Sequence, residues 1–173
     1  MNRMLLLVLA ILLPGIAAAQ VADERDTVLT PGASVAFLGI TFIDTSTEGA
    51  YDGERPDQTA RTALLEEAVR SRFTEEGFVL VETAPVAERL EATTNPAECY
   101  GCDVRMAEQL GADYVLVGEV QKVSNLIISM NLVMRAVPEA TMVRGLSVDV
   151  RSNTDESWMR GLNYILKNHF FKT

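Results

Sequence analysis

Val35 to Ile43 reads VAFLGITFI, and the chain continues through a polar stretch, a helix and a second apolar run, Phe78 to Glu82 (FVLVE). The first run is apolar at odd and even positions alike, which is the signature of a strand buried on both faces in the middle of a covered sheet. Asp57 is placed to cap the helix that follows, in which Ala60, Ala63, Leu64, Ala68 and Phe73 form one apolar stripe. Gly77 is the natural stop for that helix. Strand, helix and strand together make a βαβ unit, and such a unit requires parallel strands.

Outward from this unit the rest of the order can be read. Val86 to Ala92 has the pattern of a short helix, Thr93 to Cys99 of a loop, and Cys102 to Leu110 of a helix ended by Gly111. Three strands follow, Asp113 to Val123, Leu126 to Ala136 and Thr141 to Arg151. Their links, Ser124-Asn125 and Val137 to Ala140, are short enough for hairpins. Asn153-Thr154-Asp155-Glu156 opens the last helix with a capping residue and two acids suited to the positive end of its dipole. Trp158, Leu162, Ile165, Leu166 and His169 fall on its inward stripe. The expected fold is α/β (α+β), a single domain over residues 34–173, with a five-stranded mixed sheet in the order β-α-β-α-α-β-β-β-α and helices packed on it.

The N-terminus predicts where the protein works. Met1-Asn2-Arg3 is a short positive start, Met4 to Leu13 is apolar, Pro14-Gly15 breaks the helix, and Ala17-Ala18-Ala19 offers a small-residue cleavage site. Residues 1–19 are read as a cleaved signal peptide and residues 20–33 as a flexible leader, giving a periplasmic protein. No stretch is long enough to span a membrane. The 173 residues hold 15 Lys and Arg against 24 Asp and Glu, a net charge of −9. That acidity argues against nucleic acid and against anionic lipid headgroups as partners. The single histidine leaves no His-rich metal site within one chain.

Cys99-Tyr100-Gly101-Cys102 is the sharpest local motif. Haem attachment needs His after the second cysteine, where this chain has Asp103. Zinc would need two further ligands, and there is no second cysteine pair. A disulfide remains, structural or redox-active. Glu98 and Asp103 would both raise the thiol pKa, which favours the structural reading. The acidic stretch containing Asp44, Asp52, Glu54 and Asp57 sits at the C-terminal end of a buried parallel strand, where open α/β sheets bind ligands. It is a ligand or partner loop by position. Its spacing does not match an EF-hand, and a solvated loop is the plainer reading. Asn125, Asn153 and Asp155 form a candidate partner surface. Glu119 shares a strand face with Val115 and Val117, and Lys122, Arg135 or Arg144 would pair with it across the ladder. The serines lack a nucleophile-elbow context, and no phosphate-binding glycine motif occurs. No catalytic residue, cofactor or metal is assigned.

VAFLGITFIDTS, EEGF, CYGCD, LGADYVLVGEVQKVSNLI and VDVRSNTDESWMRGLNYILKN, taken in order, resemble a family of exported bacterial proteins known as a domain of unknown function, numbered 2380 or 3280. The pattern is also similar to the N-terminal domain of TolB and to curli-secretion lipoprotein-like α/β domains. The resemblance implies a scaffold used for protein contact in envelope assemblies, although this chain has no lipidated cysteine after its leader and no propeller. The function expected is a non-enzymatic accessory or adaptor protein whose partner is another periplasmic or envelope protein. The alternatives are a small-ligand or metal-binding protein using Asp44, Asp52 and Glu54, and a thiol–disulfide protein using Cys99 and Cys102.

Overall fold

The computed structural model describes residues 29–53 and 55–172. Strand β1 (Ser34–Asp44) leads through helix α1 (Thr47–Asp52) and helix α2 (Pro56–Glu75) to strand β2 (Val79–Leu80). Helices α3 (Ala87–Glu91) and α4 (Cys102–Gln109) follow, then strands β3 (Tyr114–Lys122), β4 (Ile127–Ala136) and β5 (Met142–Arg151), and finally helix α5 (Asp155–Ile165). The five strands form one mixed sheet in the order β2-β1-β3-β4-β5. β1 is parallel to both β2 and β3, and β3, β4 and β5 form an antiparallel meander.

The apolar character of β1 on both faces has a direct cause, since helices cover the sheet on both sides. Val35, Phe37 and Ile40 join α2 and α5 in a core that includes Leu65, Phe73, Trp158 and Leu162. Ala36 and Leu38 face the other way, into a smaller core with Val104, Met106, Val115 and Val117. Between Phe37 and Ile40 the register with β3 shifts, and Gly39 stands at φ 94°. A side chain there would be strained and would meet the Glu66 carboxylate at 2.9 Å, so the bulge calls for glycine. Glu66 of α2 fills the gap in the ladder by accepting the Ile40 N–H at 2.8 Å. The extra residue turns Ile40, Phe42 and Asp44 to the face that Val35 and Phe37 occupied before it. The end of β1 is thereby aimed at the α2–α5 side.

Four local expectations are corrected. The stretch 44–56, read as a loop, contains α1, whose first turn Ser46 caps by accepting the Gly49 N–H at 3.1 Å. Helix α2 begins at Pro56, with Arg55 rather than Asp57 as its N-cap and Gln58 closing the capping box; Asp57 sits in the first turn. The buried stripe of α2 runs Leu65, Val69 and Phe73, while Leu64 is exposed, because this helix must meet both β1 and the C-terminal aromatics. β2 is two residues long rather than five, since it pairs only with Ser34 and Val35 before the chain turns at Ala84–Val86. The last helix keeps its expected face: Trp158, Leu162, Ile165 and Leu166 are buried, and Thr154 caps it. His169 is half-buried in a π-helical turn beside Phe170.

Candidate functional site

β1, β3 and β5 all finish, and β4 begins, at one end of the sheet. Their register places Asp44 beside Lys122 and Ile127 beside Arg151. The loop residues Asp44, Asp52 and Asp57 and the candidate partner residues Asn125, Asn153 and Asp155 all belong to segments that meet at this pole. Glu54 lies outside the described residues.

The polar groups of the pole are engaged with one another. Lys122, whose side chain is 1% exposed, donates from Nζ to Asp44 Oδ2 at 2.9 Å. Burial alone would oppose ionisation of Asp44. The Ser46 hydroxyl, the Lys122 ammonium and the Ser46 N–H outweigh it and hold the carboxyl below its ordinary value. Gln58 reaches the same carboxylate at 3.5 Å. Asp57 is slightly desolvated as well, but Arg55 and Arg61, each 3.0 Å away, lower its pKa. Asp52 is exposed at the end of α1. Asn125 donates to Glu48 at 3.0 Å and pins the β3–β4 hairpin to α1. Asn153 and Asp155 both accept from Arg61, at 3.2 and 2.7 Å, and join the start of α5 to α2. Arg61 also lies over the Trp158 ring, 5.9 Å from its centroid. Among the described residues no three metal-ligating side chains come together. The pole is a set of internal fasteners carrying exposed apolar residues, Tyr51, Val123, Leu126 and Ile127, on its outside.

On the opposite helical layer Cys99 and Cys102 are joined, with sulfurs 2.03 Å and Cα atoms 5.4 Å apart. The bridge closes over Tyr100 and Gly101, both at positive φ, and leaves Tyr100 99% exposed. The Asp103 N–H points at Cys99 Sγ at 3.2 Å, while the Asp103 carboxylate is buried against Arg135 at 2.7 Å. Glu119 is buried, but its partners are Asn95 at 2.6 Å and Asn131 at 3.4 Å. None of the three cations expected for it takes that place: Lys122 faces the other side of the sheet, Arg135 is held by Asp103, and Arg144 donates to the Val143 carbonyl. Asn95 and Asn131 carried no periodic or motif signal that would have marked them.

The feature that side-chain patterns leave invisible is the outer edge of the sheet. β5 is its terminal strand and is ten residues long. Ser152 donates its N–H to Leu126 O, and Val123 donates to Ile127 O. In an antiparallel ladder the bonded pairs alternate, so the even-numbered residues of β5 point their backbone groups at β4. Gly145, Ser147, Asp149 and Arg151 point theirs outward. The last three are exposed. Beside this edge a groove of about 450 Å³ runs between β5 and α5, lined by Val148, Val150, Gly161 and Tyr164 with Arg151 and Arg160 at its rim. α5 approaches closely because position 161 is glycine; a Cβ there would lie 2.5 Å from Val150 Cγ1. An edge and groove of this kind can take up an extended strand through main-chain hydrogen bonds.

The fold is similar to the LpoB C-terminal domain from Salmonella enterica, at 16% identity over 75% of this chain and 89% of that one, with a TM-score of 0.52. It is also similar to lipoprotein GNA1162 from Neisseria meningitidis (17% identity, 71% of this chain and 83% of that one, TM-score 0.43). TolB from Acinetobacter baumannii aligns at 10% identity over 80% of this chain and 29% of that one, with a TM-score of 0.40. No curated protein matches the sequence. At these identities the likeness is one of fold. A family model matches residues 33–170, from the residue before β1 to the aromatic turn after α5, and both numbers of the resemblance meet in it: the chain belongs to the family DUF3280, described as "Protein of unknown function (DUF2380)".

Proposed function

We propose that this protein is a non-enzymatic accessory or adaptor of the bacterial cell envelope, working in the periplasm through protein contact. The observation that carries the reading is the open β5 edge. Ten residues of strand end the sheet, with the backbone groups of Ser147, Asp149 and Arg151 directed outward beside an apolar groove. Exposed edges of this length invite strand addition, and monomeric proteins usually blunt them. The periplasmic setting rests on the leader at residues 1–19, which lies outside the described residues. No helix among the described residues is long and apolar enough to cross a membrane. The polar groups of Asp44 and Asp57 are committed to cations of the chain itself, which weighs against a ligand held by that loop.

A photo-crosslinking residue at position 147 tests the reading against one at Glu67, exposed on α2. Position 147 is expected to capture a defined envelope protein in living cells, and position 67 is not. Ser147→Pro should abolish that capture, because proline removes the outward N–H and leaves the bonds to β4 in place. Equal capture from both positions, or capture that survives the proline, contradicts the assignment.

A further inference from the structure

On the edge-contact reading above, a strand added to β5 runs along α5, and the residues of that helix decide which strand fits. Ser157, Arg160, Gly161 and Tyr164 recur at three and four residues and form one face of α5 toward the groove. Ser157 is spent at the start of the helix, where its hydroxyl donates to Ser152 O. Gly161 has no side chain, so Arg160 and Tyr164, both exposed, bracket a gap. Val148 and Val150 supply the β5 side of it. Asp149 and Arg151 alternate with these valines, and their side chains belong to the other face of the sheet.

The helical wall of the groove is cationic. The acid beside Arg160 is Glu156, 3.8 Å away, with side chains 70% and 87% exposed, and a pair so exposed contributes little. Asp155, the other acid of the first turn, is held by Arg61. After Glu156 the sequence to Thr173 contains Arg160, Lys167 and Lys172 and no acid, in a chain with 24 Asp and Glu. An incoming carboxylate therefore meets a cation with only a weak competitor.

Geometry sets the spacing. Side chains on one face of a strand are about 6.8 Å apart, and residues 160 and 164 are about 6 Å apart along the helix axis. Two side chains at i and i+2 of an added strand thus meet Arg160 and Tyr164 in turn. α5 starts beside Ser152 and returns along β5 with Gly161 against Val150, so Tyr164 lies further back along the strand than Arg160.

We propose that the β5 edge takes an extended acidic peptide, a segment of a partner protein in which Asp or Glu stands two residues from an apolar side chain. The carboxylate pairs with Arg160, and the apolar side chain packs over the valines against Tyr164. The chain's net negative charge does not prevent this, because at about 0.15 M salt a Debye length near 8 Å leaves the local cation dominant.

Capped peptides with one Val and, two residues away, Glu, Gln or Lys in an otherwise Ser/Thr sequence test this. They are titrated into the purified protein at about 0.15 M salt and read from the amide shifts of Ser147 and Asp149. The Glu peptide is expected to bind about threefold more tightly than the Gln peptide, and the Lys peptide most weakly. Arg160→Glu should reverse the order, so that the Lys peptide binds best, and Tyr164→Ala should weaken all three; thermal melting checks that each variant folds. Equal affinity for the three peptides, failure of all three to bind, or an order indifferent to Arg160→Glu overturns the proposal. If one of these results comes while position 147 still captures an envelope protein in a proline-sensitive way, the acidic occupant is ruled out and the edge contact stands. Loss of that capture as well overturns both.

Discussion

The pole of the sheet and its β5 edge carry similar residue types and use them in opposite ways. At the pole, Lys122 pairs with Asp44, Arg61 with Asp57 and Asp155, and Asn125 with Glu48, so that these polar side chains spend their bonding capacity inside the molecule. Along β5, by contrast, the backbone of every second residue has no partner strand among the described residues. The difference separates stability from contact. Changes at the pole should alter how firmly the protein folds, and changes at the edge should alter what it binds.

The largest effect belongs under the pole. Trp158 is fully buried beneath Arg61, and Trp158→Ala should cost about 3–5 kcal/mol, read from urea midpoints. Lys122→Met breaks a buried pair and leaves Asp44 with Ser46 and Gln58 alone. A loss of about 3 kcal/mol is expected, at the lower end for such pairs because Asp44 keeps some access to water. The same pair gives a pH signature. Asp44 titrates below its ordinary value of 3.8, so its contribution is complete above that value and is lost as the pH falls below it. The wild type should lose stability there, and Lys122→Met should lose less. A wild-type curve as flat as that of the variant would show that the pair contributes nothing.

Replacing Cys99 and Cys102 together by serine should cost about 2 kcal/mol on the loop-entropy argument, with the fold retained by circular dichroism. Asn125→Ala removes one exposed clamp, worth about 0.5 kcal/mol. Smallest in stability is Ser147→Pro, which removes no bond to β4 and should cost less than the Asn125 change, yet should abolish association at the edge. If the pole variants weaken association at unchanged fold, or the proline variant leaves it intact, the division between the two regions fails.

Much of the frame was legible in the sequence. β1, β3, β4 and β5 announced themselves because burial on one or both faces imposes a periodicity that residue type alone displays. α5 was legible for the same reason, with Thr154 marking its start. α1 escaped notice because six residues give no period, and the helix depends on Ser46 and on the Asn125–Glu48 contact brought from a distant hairpin. The stripe of α2 shifted because its partners, β1 and Phe171, are set by topology. The sequence offers Asp44, Asp52 and Asp57 as a ligand or partner loop and Asn125, Asn153 and Asp155 as a partner surface, and the fold brings their segments to one pole. Their mutual pairing depends on contacts across some eighty residues, such as Asp44 with Lys122. Which strand closes the sheet is likewise a property of the whole order, and no residue of β5 states it.

The most direct test of the open edge is amide hydrogen exchange along β5 in dilute protein, resolved residue by residue. The account predicts alternation. Leu146, Val148 and Val150, bonded to β4, should exchange slowly, whereas Ser147, Asp149 and Arg151 should exchange fast. Equal protection of both sets would mean that the edge is already covered within the chain, and would contradict the account.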